Sequence, residues 1–191
     1  MKVEKAPRPA KFPDASGKKF AIIAATFYAD LAAWMEDGAR RGLRDCGVAD
    51  DAIEVFSVPG CFELPVAARR LIRAGDYDGI VALGVVVRGE TPHFDYVAGE
   101  CARGIMDVQI SSGVPIGFGV LTTDTLAQAE ERADPERGDK GYDAAIAAAT
   151  VAVIEPKVDR PRVGFRFAGR LVVKRRGLPY TPRTAVTPKW P

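Results

Sequence analysis

The stretch Gly79-Ile80-Val81-Ala82-Leu83-Gly84-Val85-Val86-Val87 carries no charged or polar side chain, and Arg88-Gly89-Glu90-Thr91-Pro92-His93 follows it directly. A strand with one wet face alternates apolar and polar residues, whereas a strand covered on both faces reads as one continuous apolar run. The first stretch is therefore predicted to be an interior strand of a parallel sheet. The second has the punctuation of a tight turn and a helix start. Gly89 permits the turn, Thr91 is placed to cap the helix, and Pro92 suits its first position.

The same grammar repeats on either side. Apolar runs at 20–26, Ile53–Val58 and 115–121 read as three further strands. Residues 29–46 place Leu31, Met35, Ala39 and Leu43 at helical spacing, with Gly47 as the stop. Further helices are expected over 62–74, ending at Gly75, over 93–111, capped by Gly113, and over 125–133 and 140–154. Buried strands separated by helices of this length define an α/β fold, a three-layer doubly wound sheet of four parallel strands with helices on both faces. Ligands of such folds bind beyond the carboxyl ends of the strands. Phe27, Gly60 to Glu63, and Arg88 to His93 all fall there.

The whole chain sets outer bounds. Its 191 residues suit one domain with tails. The expected divisions are a basic arm over 1–19, the folded body over 20–155, and a basic, proline-rich extension over 156–191. The arm has six Lys/Arg against two Asp/Glu, the body eleven against twenty-two, and the extension ten against one. The formal net charge of +2 therefore hides an acidic body between basic ends. The extension, with Lys174-Arg175-Arg176, reads as a solvated, poorly ordered segment. Contact with nucleic acid or another polyanion is the alternative, and the acidic body argues against nucleic acid. No apolar run nears the roughly 20 residues of a membrane helix, and residues 1–19 hold no secretory apolar core. Three scattered cysteines, one histidine and no CxxC exclude a zinc site or a disulfide framework, and reduced thiols point to the cytoplasm.

Each candidate site residue admits two readings. His93 is the only histidine; it is either a packed residue at a helix start or a proton-transfer group beside an anion-holding helix end. Glu63 either complements a helix dipole or accepts hydrogen bonds from substrate hydroxyls. Cys61 reads as a small turn residue, because no second histidine exists to activate it as a nucleophile. Phe27 and Phe118, placed at or near strand ends, either pack in the core or stack on a flat heterocycle. Arg132 is either a surface charge on a helix end or a planar fork for a phosphate, and Lys140 is either a surface charge or a cation that neutralises an anionic intermediate.

Six segments in order carry a resemblance. They are Phe27 after the first strand, VPGCFELP at 58–65, ALGVVVRGETPHFDYV at 82–97, PIGFGVLTTDT at 115–125, QAEERA at 128–133, and GDKG at 138–141. Together they resemble the 6,7-dimethyl-8-ribityllumazine synthase family of riboflavin biosynthesis, from about residue 20 to 154. The resemblance implies the flavodoxin-like fold of that family. It also implies condensation of 5-amino-6-(D-ribitylamino)uracil with 3,4-dihydroxy-2-butanone 4-phosphate, releasing phosphate and water, with no cofactor and no metal.

In that reading His93 is the acid–base group, and Phe27 stacks on the pyrimidine. Cys61, Phe62 and Glu63 line the ribityl pocket, while Val85, Val86 and Val87 offer backbone groups to the pyrimidine edge. Glu90, Thr91 and Arg132 hold the phosphate. Phe118 and Lys140 complete the site, Phe118 from a neighbouring subunit. The resemblance further implies a homopentamer, an icosahedral shell of sixty subunits in some members, and riboflavin synthase as a partner. Tyr28, Cys61 and Asp139 depart from residues common in the family, namely Asn, Ala and the Asn of GNKG. The extension beyond about residue 155 matches nothing in the pattern.

Overall fold

The computed structural model describes residues 11–154; the segments 1–10 and 155–191, and with them most of the two basic ends, lie outside the described residues. Four strands, β1 (Phe20–Ala25), β2 (Ile53–Val58), β3 (Gly79–Val87) and β4 (Ile116–Thr123), form one parallel sheet in the order β2-β1-β3-β4. Five helices accompany them: α1 (Ala29–Asp45), α2 (Leu64–Ala74), α3 (His93–Ser112), α4 (Leu126–Ala133) and α5 (Lys140–Ala152). The predicted α/β class and the element order both hold; β2 and β3 have the expected bounds, and the ends that differ elsewhere do so by one or two residues. Two short 3-10 turns, Asp50–Ala52 and Cys61–Glu63, were not anticipated.

The strand that decided the fold behaves as its composition requires. Residues 79–86 of β3 are all buried, and alternate side chains enter two separate cores. Val81, Leu83 and Val85 face α1, α4 and α5, together with Phe20, Ile22, Met35 and Leu43. Ile80, Ala82 and Val86 face α2 and α3, with Ile23, Leu64, Cys101 and Ile105. This is the period-2 geometry of a strand with two dry faces.

Small residues let α5 lie unusually close to its neighbours. Ala144, Ala145, Ala148 and Ala149 form its buried stripe. A Cβ at Gly117 of β4 would sit 2.1 Å from the Ala144 carbonyl oxygen, and one at Gly141 would sit 2.0 Å from the Met35 carbonyl oxygen. Neither overlap can relax by turning a side chain, because both partners are backbone. The approach fixes the start of α5 against α1, and that start bears on the site.

Residues 12–19, within the stretch assigned to the basic arm, lie against the body. Ala15 is fully buried and donates its N–H to the Cys46 carbonyl at 2.7 Å, and Phe12 meets the Tyr142 ring edge-on at 6.3 Å.

One local expectation is corrected. The helix after β3 begins at His93, and Pro92 is its N-cap residue, with φ −63° and ψ 0°. Thr91 therefore stands one position ahead of the cap. The proline ring already holds a helical φ, and the Pro92 carbonyl accepts the Asp95 N–H at 3.0 Å, so the chain turns there without a side-chain cap.

Candidate functional site

Two concave regions carry the residues singled out by sequence. The larger, about 690 Å³, opens where β1, β2 and β3 end. Phe27 and Tyr28 line it from the β1–α1 turn, Gly60 to Glu63 from the turn after β2, and Val85 to Val87 from the end of β3. Gly89, Thr91 and His93 line it from the turn into α3, and Phe94, Tyr96 and Val97 from the helix itself.

Local sequence explains how these segments meet. Gly84 has no side chain, and a Cβ there would lie 2.4 Å from the Cys61 sulfur. The turn after β2 can therefore settle over β3, where the Cys61 thiol donates to the Val85 carbonyl at 3.7 Å. Burial pushes the Cys61 thiol up to about 11, against the smaller opposite pull of the Val85 carbonyl. A thiol held neutral in this way is no nucleophile near pH 7, which fits its reading as a turn residue. Glu63 follows in the same turn, its carboxylate close above Gly60.

Exposure decides between the two readings of the aromatics. Phe27 is 74% exposed and Phe62 58% exposed, so neither is a core residue. Phe27 is braced only by the edge of Tyr28, at 5.1 Å, which leaves a ring face available for stacking. His93 is exposed at the first position of α3, and its ring makes no hydrogen bond or ion pair among the described residues. It is thus not the packed, satisfied histidine that was its alternative.

The turn that presents His93 is tied down from behind. Arg88 donates its backbone N–H to the Thr123 carbonyl at 2.9 Å. Its guanidinium reaches Asp95 at 3.1 Å and Asp124 at 3.2 Å, and lies 4.1 Å from the Phe94 ring centroid. These groups are solvent-exposed, so the ion pairs guide the geometry more than they stabilise the fold.

The smaller region, about 370 Å³, lies along β4 beside α4 and α5. Phe118, Arg132 and Lys140 line it with Thr122 and Asp143. Arg132 donates to the Gln128 carbonyl at 2.9 Å, and the Lys140 ammonium sits 2.8 Å from Asp143. Phe118 lies inside β4, near its start. It is the third residue of β4, paired with Ala82, and 45% exposed because β4 is an edge strand.

No residue lines both regions. The structure therefore gathers Phe27, Cys61, Phe62, Glu63, Val85, Val86, Val87, Thr91 and His93 in one place, and Phe118, Arg132 and Lys140 in another. Glu90 lines neither and is exposed in the turn between them in sequence, β3 to α3. Sequence reading missed Tyr96 and Val97, whose signal was present: they follow His93 by three and four residues, the spacing of one helix face. Among the described residues no group of three or more His, Cys, Asp or Glu is arranged to hold a metal ion, and no helix is long and apolar enough to cross a membrane.

A parallel sheet whose strand ends gather a free histidine, a carboxylate and exposed aromatic rings defines an α/β enzyme acting on a small organic ligand. Comparison with known proteins gives the particular family. The family described as 6,7-dimethyl-8-ribityllumazine synthase matches residues 17–155. A 6,7-dimethyl-8-ribityllumazine synthase of Desulfatibacillum aliphaticivorans is 47% identical over 134 residues, covering 70% of this chain and 86% of the relative. One of Nitratidesulfovibrio vulgaris (strain DSM 19637 / Miyazaki F) is 47% identical over 143 residues, covering 74% and 92%. The chain belongs to the 6,7-dimethyl-8-ribityllumazine synthase family.

Proposed function

We propose that this enzyme condenses 5-amino-6-(D-ribitylamino)uracil with 3,4-dihydroxy-2-butanone 4-phosphate to 6,7-dimethyl-8-ribityllumazine, the penultimate step of riboflavin synthesis. The observation that carries this reading is the larger cavity. It combines an open aromatic face (Phe27), a carboxylate (Glu63), a run of strand-end backbone (Val85 to Val87) and an unpartnered histidine at a helix start (His93). A flat pyrimidine with a polyhydroxyl arm and a phosphorylated ketone would use each of these in turn.

In this mechanism the pyrimidine stacks on Phe27 and its ribityl hydroxyls donate to Glu63. The amine attacks the ketone carbon, and water leaves as the imine forms. The carbon–oxygen bond to phosphate then breaks, and the second amine closes the ring with loss of a further water. Every step moves a proton, and His93 exchanges it. Holding the two reactants together supplies much of the remaining rate. The Thr91 hydroxyl and the free N–H groups at the start of α3 donate to the phosphate oxygens, with Arg132 and Lys140 supplying positive charge.

The two separate regions of one chain favour a site built from two chains. Cavity residues of one subunit would face Phe118, Arg132 and Lys140 of the next, as in a pentamer or a larger shell. A cytoplasmic body over 20–155 with basic segments at 1–19 and 156–191 completes this reading, and riboflavin synthase is the partner that would consume the product. Mixing purified protein with both substrates tests it: fluorescent lumazine and stoichiometric phosphate are expected. Folded protein that yields neither overturns it, and binding of a lumazine without turnover would point instead to a ligand-holding shell protein.

A further inference from the structure

The turn between α4 and α5 holds a buried carboxylate. Asp139 is 2% exposed, and it is the one non-glycine residue with positive φ among the described residues, at φ 48° and ψ 47°. Asparagine and aspartate are the side chains that tolerate this left-handed region best. Both oxygens of Asp139 accept from Arg41 of α1, at 3.0 and 3.2 Å, a two-pronged contact between residues 98 apart in sequence. The remaining guanidine nitrogen, Nε, donates to Asp37 at 2.8 Å. The Arg41 guanidinium is thus bracketed by two carboxylates, and their hydrogen bonds hold it charged well above the ordinary arginine range.

The surrounding backbone leaves this turn little room. A Cβ at Gly38, one turn before Arg41, would lie 2.6 Å from the Asp139 carboxylate. A Cβ at Gly138 would lie 2.5 Å from both the Cα and the carbonyl oxygen of Arg132, and the start of α5 presses on Met35 through Gly141. Arg132 ends α4 and Lys140 begins α5. The two cations of the smaller region therefore flank one short turn, and that turn is pinned to α1 through its centre.

We propose that Arg41, acting through Asp139, is a positioning residue for the anion-binding half of the site: the pair fixes the α4–α5 turn so that Arg132 and Lys140 meet the phosphate-bearing substrate. Arg41 touches no substrate in this scheme. An asparagine at 139 would keep the left-handed turn but give up one charged oxygen, so the pair tightens a position that an amide holds more loosely. The inference rests on the lumazine synthase reading of Arg132 and Lys140.

The test is a double-mutant cycle of Arg41→Met, Asp139→Asn and the combined variant, with each substrate varied separately and folding followed by circular dichroism. Arg41→Met leaves a buried carboxylate without its guanidinium, and it should raise the KM for the butanone phosphate by about 10- to 100-fold. The KM for the ribitylamino-uracil should stay within about twofold, which a general loss of structure would not spare. The combined variant should be no worse than Arg41→Met, because the carboxylate that has lost its guanidinium is then replaced by a neutral amide. Strictly additive effects, an unchanged butanone-phosphate KM in Arg41→Met, or equal rises in both KM values would each overturn the inference. If Arg41→Met does not fold, Arg41→Lys keeps the charge, loses the fork, and should give the same selective rise at smaller size; no selective rise there counts against the proposal. Wild-type protein that makes no lumazine defeats the function itself, whereas active wild type beside an indifferent Arg41 variant defeats this inference alone.

Discussion

The two concave regions of this chain are built on opposite principles. The larger one is assembled from the ends of three neighbouring strands, and its walls are held by apolar packing and backbone contact: Cys61 against Val85, Gly84 beneath the turn, Val86 in the core. Its chemistry-bearing groups, His93, Phe27 and Phe62, are free and exposed. The smaller one hangs on an edge strand and a short turn, and it is held by charge, with Asp139 buried against Arg41. A rigid platform can present an unencumbered proton-transfer group because the charges beside its turn, Arg88 with Asp95 and Asp124, are paired among themselves. A cluster of cations must be restrained by carboxylates even while it awaits an anion. Catalysis and anion capture thus make different demands on the fold, and the molecule keeps them apart.

The largest effect should come from the free histidine. His93→Ala is expected to lower kcat by about 10²- to 10⁴-fold, the usual worth of a positioned acid–base group. Because the exposed ring makes no hydrogen bond or ion pair among the described residues, the melting temperature should move by no more than a degree or so. Stopped-flow fluorescence of the lumazine product and a thermal melt together decide it. An unchanged rate would strip the larger region of its proposed chemistry; a large loss of stability would show that the platform depends on the group it presents.

Next in size is the cationic region. Arg132→Ala should raise the KM for the phosphorylated substrate by about 10- to 100-fold, since a charge-assisted contact is worth roughly 1.5–3 kcal/mol. Among the described residues its hydrogen bond is to the Gln128 carbonyl alone, so stability should be spared. Isothermal titration with inorganic phosphate gives an independent reading. Phosphate affinity equal to wild type would break the assignment of anion capture to this region.

How much of this contrast could be read in the chain follows from sequence distance. The larger region was legible because each of its segments is local. A strand ending in Phe27, a turn at 60–63 and a strand-to-helix junction at 88–93 each announce themselves within about ten residues, and the parallel α/β rule brings the strand ends together. The smaller region was only half legible. Arg132 and Lys140 could be picked out as cations on helix ends, yet nothing local told of Arg41, whose partner lies 98 residues away. The exposure of Phe118 was not legible, because the sequence does not say which strand lies at the edge until the order β2-β1-β3-β4 is known. Thr91 was misjudged as a cap because Pro92 can fill that role by its ring alone.

A third test compares the regions through their hydrogen bonds. Glu63→Gln keeps size and accepting power on one atom but removes the charge that ribityl hydroxyls would meet. The expected cost is about 0.5–1.5 kcal/mol, a two- to tenfold rise in the KM for the ribitylamino-uracil alone. A rise in the other KM instead would mean that the carboxylate faces the phosphate end, and the division between the regions would fail.

The smallest effect concerns the thiols beneath the larger region. Burial pushes Cys61 up from an ordinary value near 9.0 to about 11, and Cys101 on the same core to about 12, with the neighbouring Cys61 adding to the latter. A raised folded value means that below pH 9 both states carry the proton and the contribution to stability is whole. Between about pH 9 and 11 the unfolded chain releases these protons while the folded one keeps them, so stability must fall as pH rises. The Arg41 guanidinium does not titrate in that window, because its carboxylate partners hold it charged far above it. Alkaline softening should therefore originate in the apolar cores, under the strand platform at Cys61 and Cys101 and beside α1 at Cys46, and not in the charged turn. Melting temperatures at pH 8 and pH 10.5 should drop by several degrees in the wild type, and by measurably less in Cys61→Ala, which has lost one of the three buried thiol protons, that of Cys46 on the other core being the third. Exposed lysines titrate equally in both proteins and cancel in the difference. An equal drop in the two would show that the thiol contributes no proton linkage, and the platform's tolerance of high pH would then have to be set by groups on its surface.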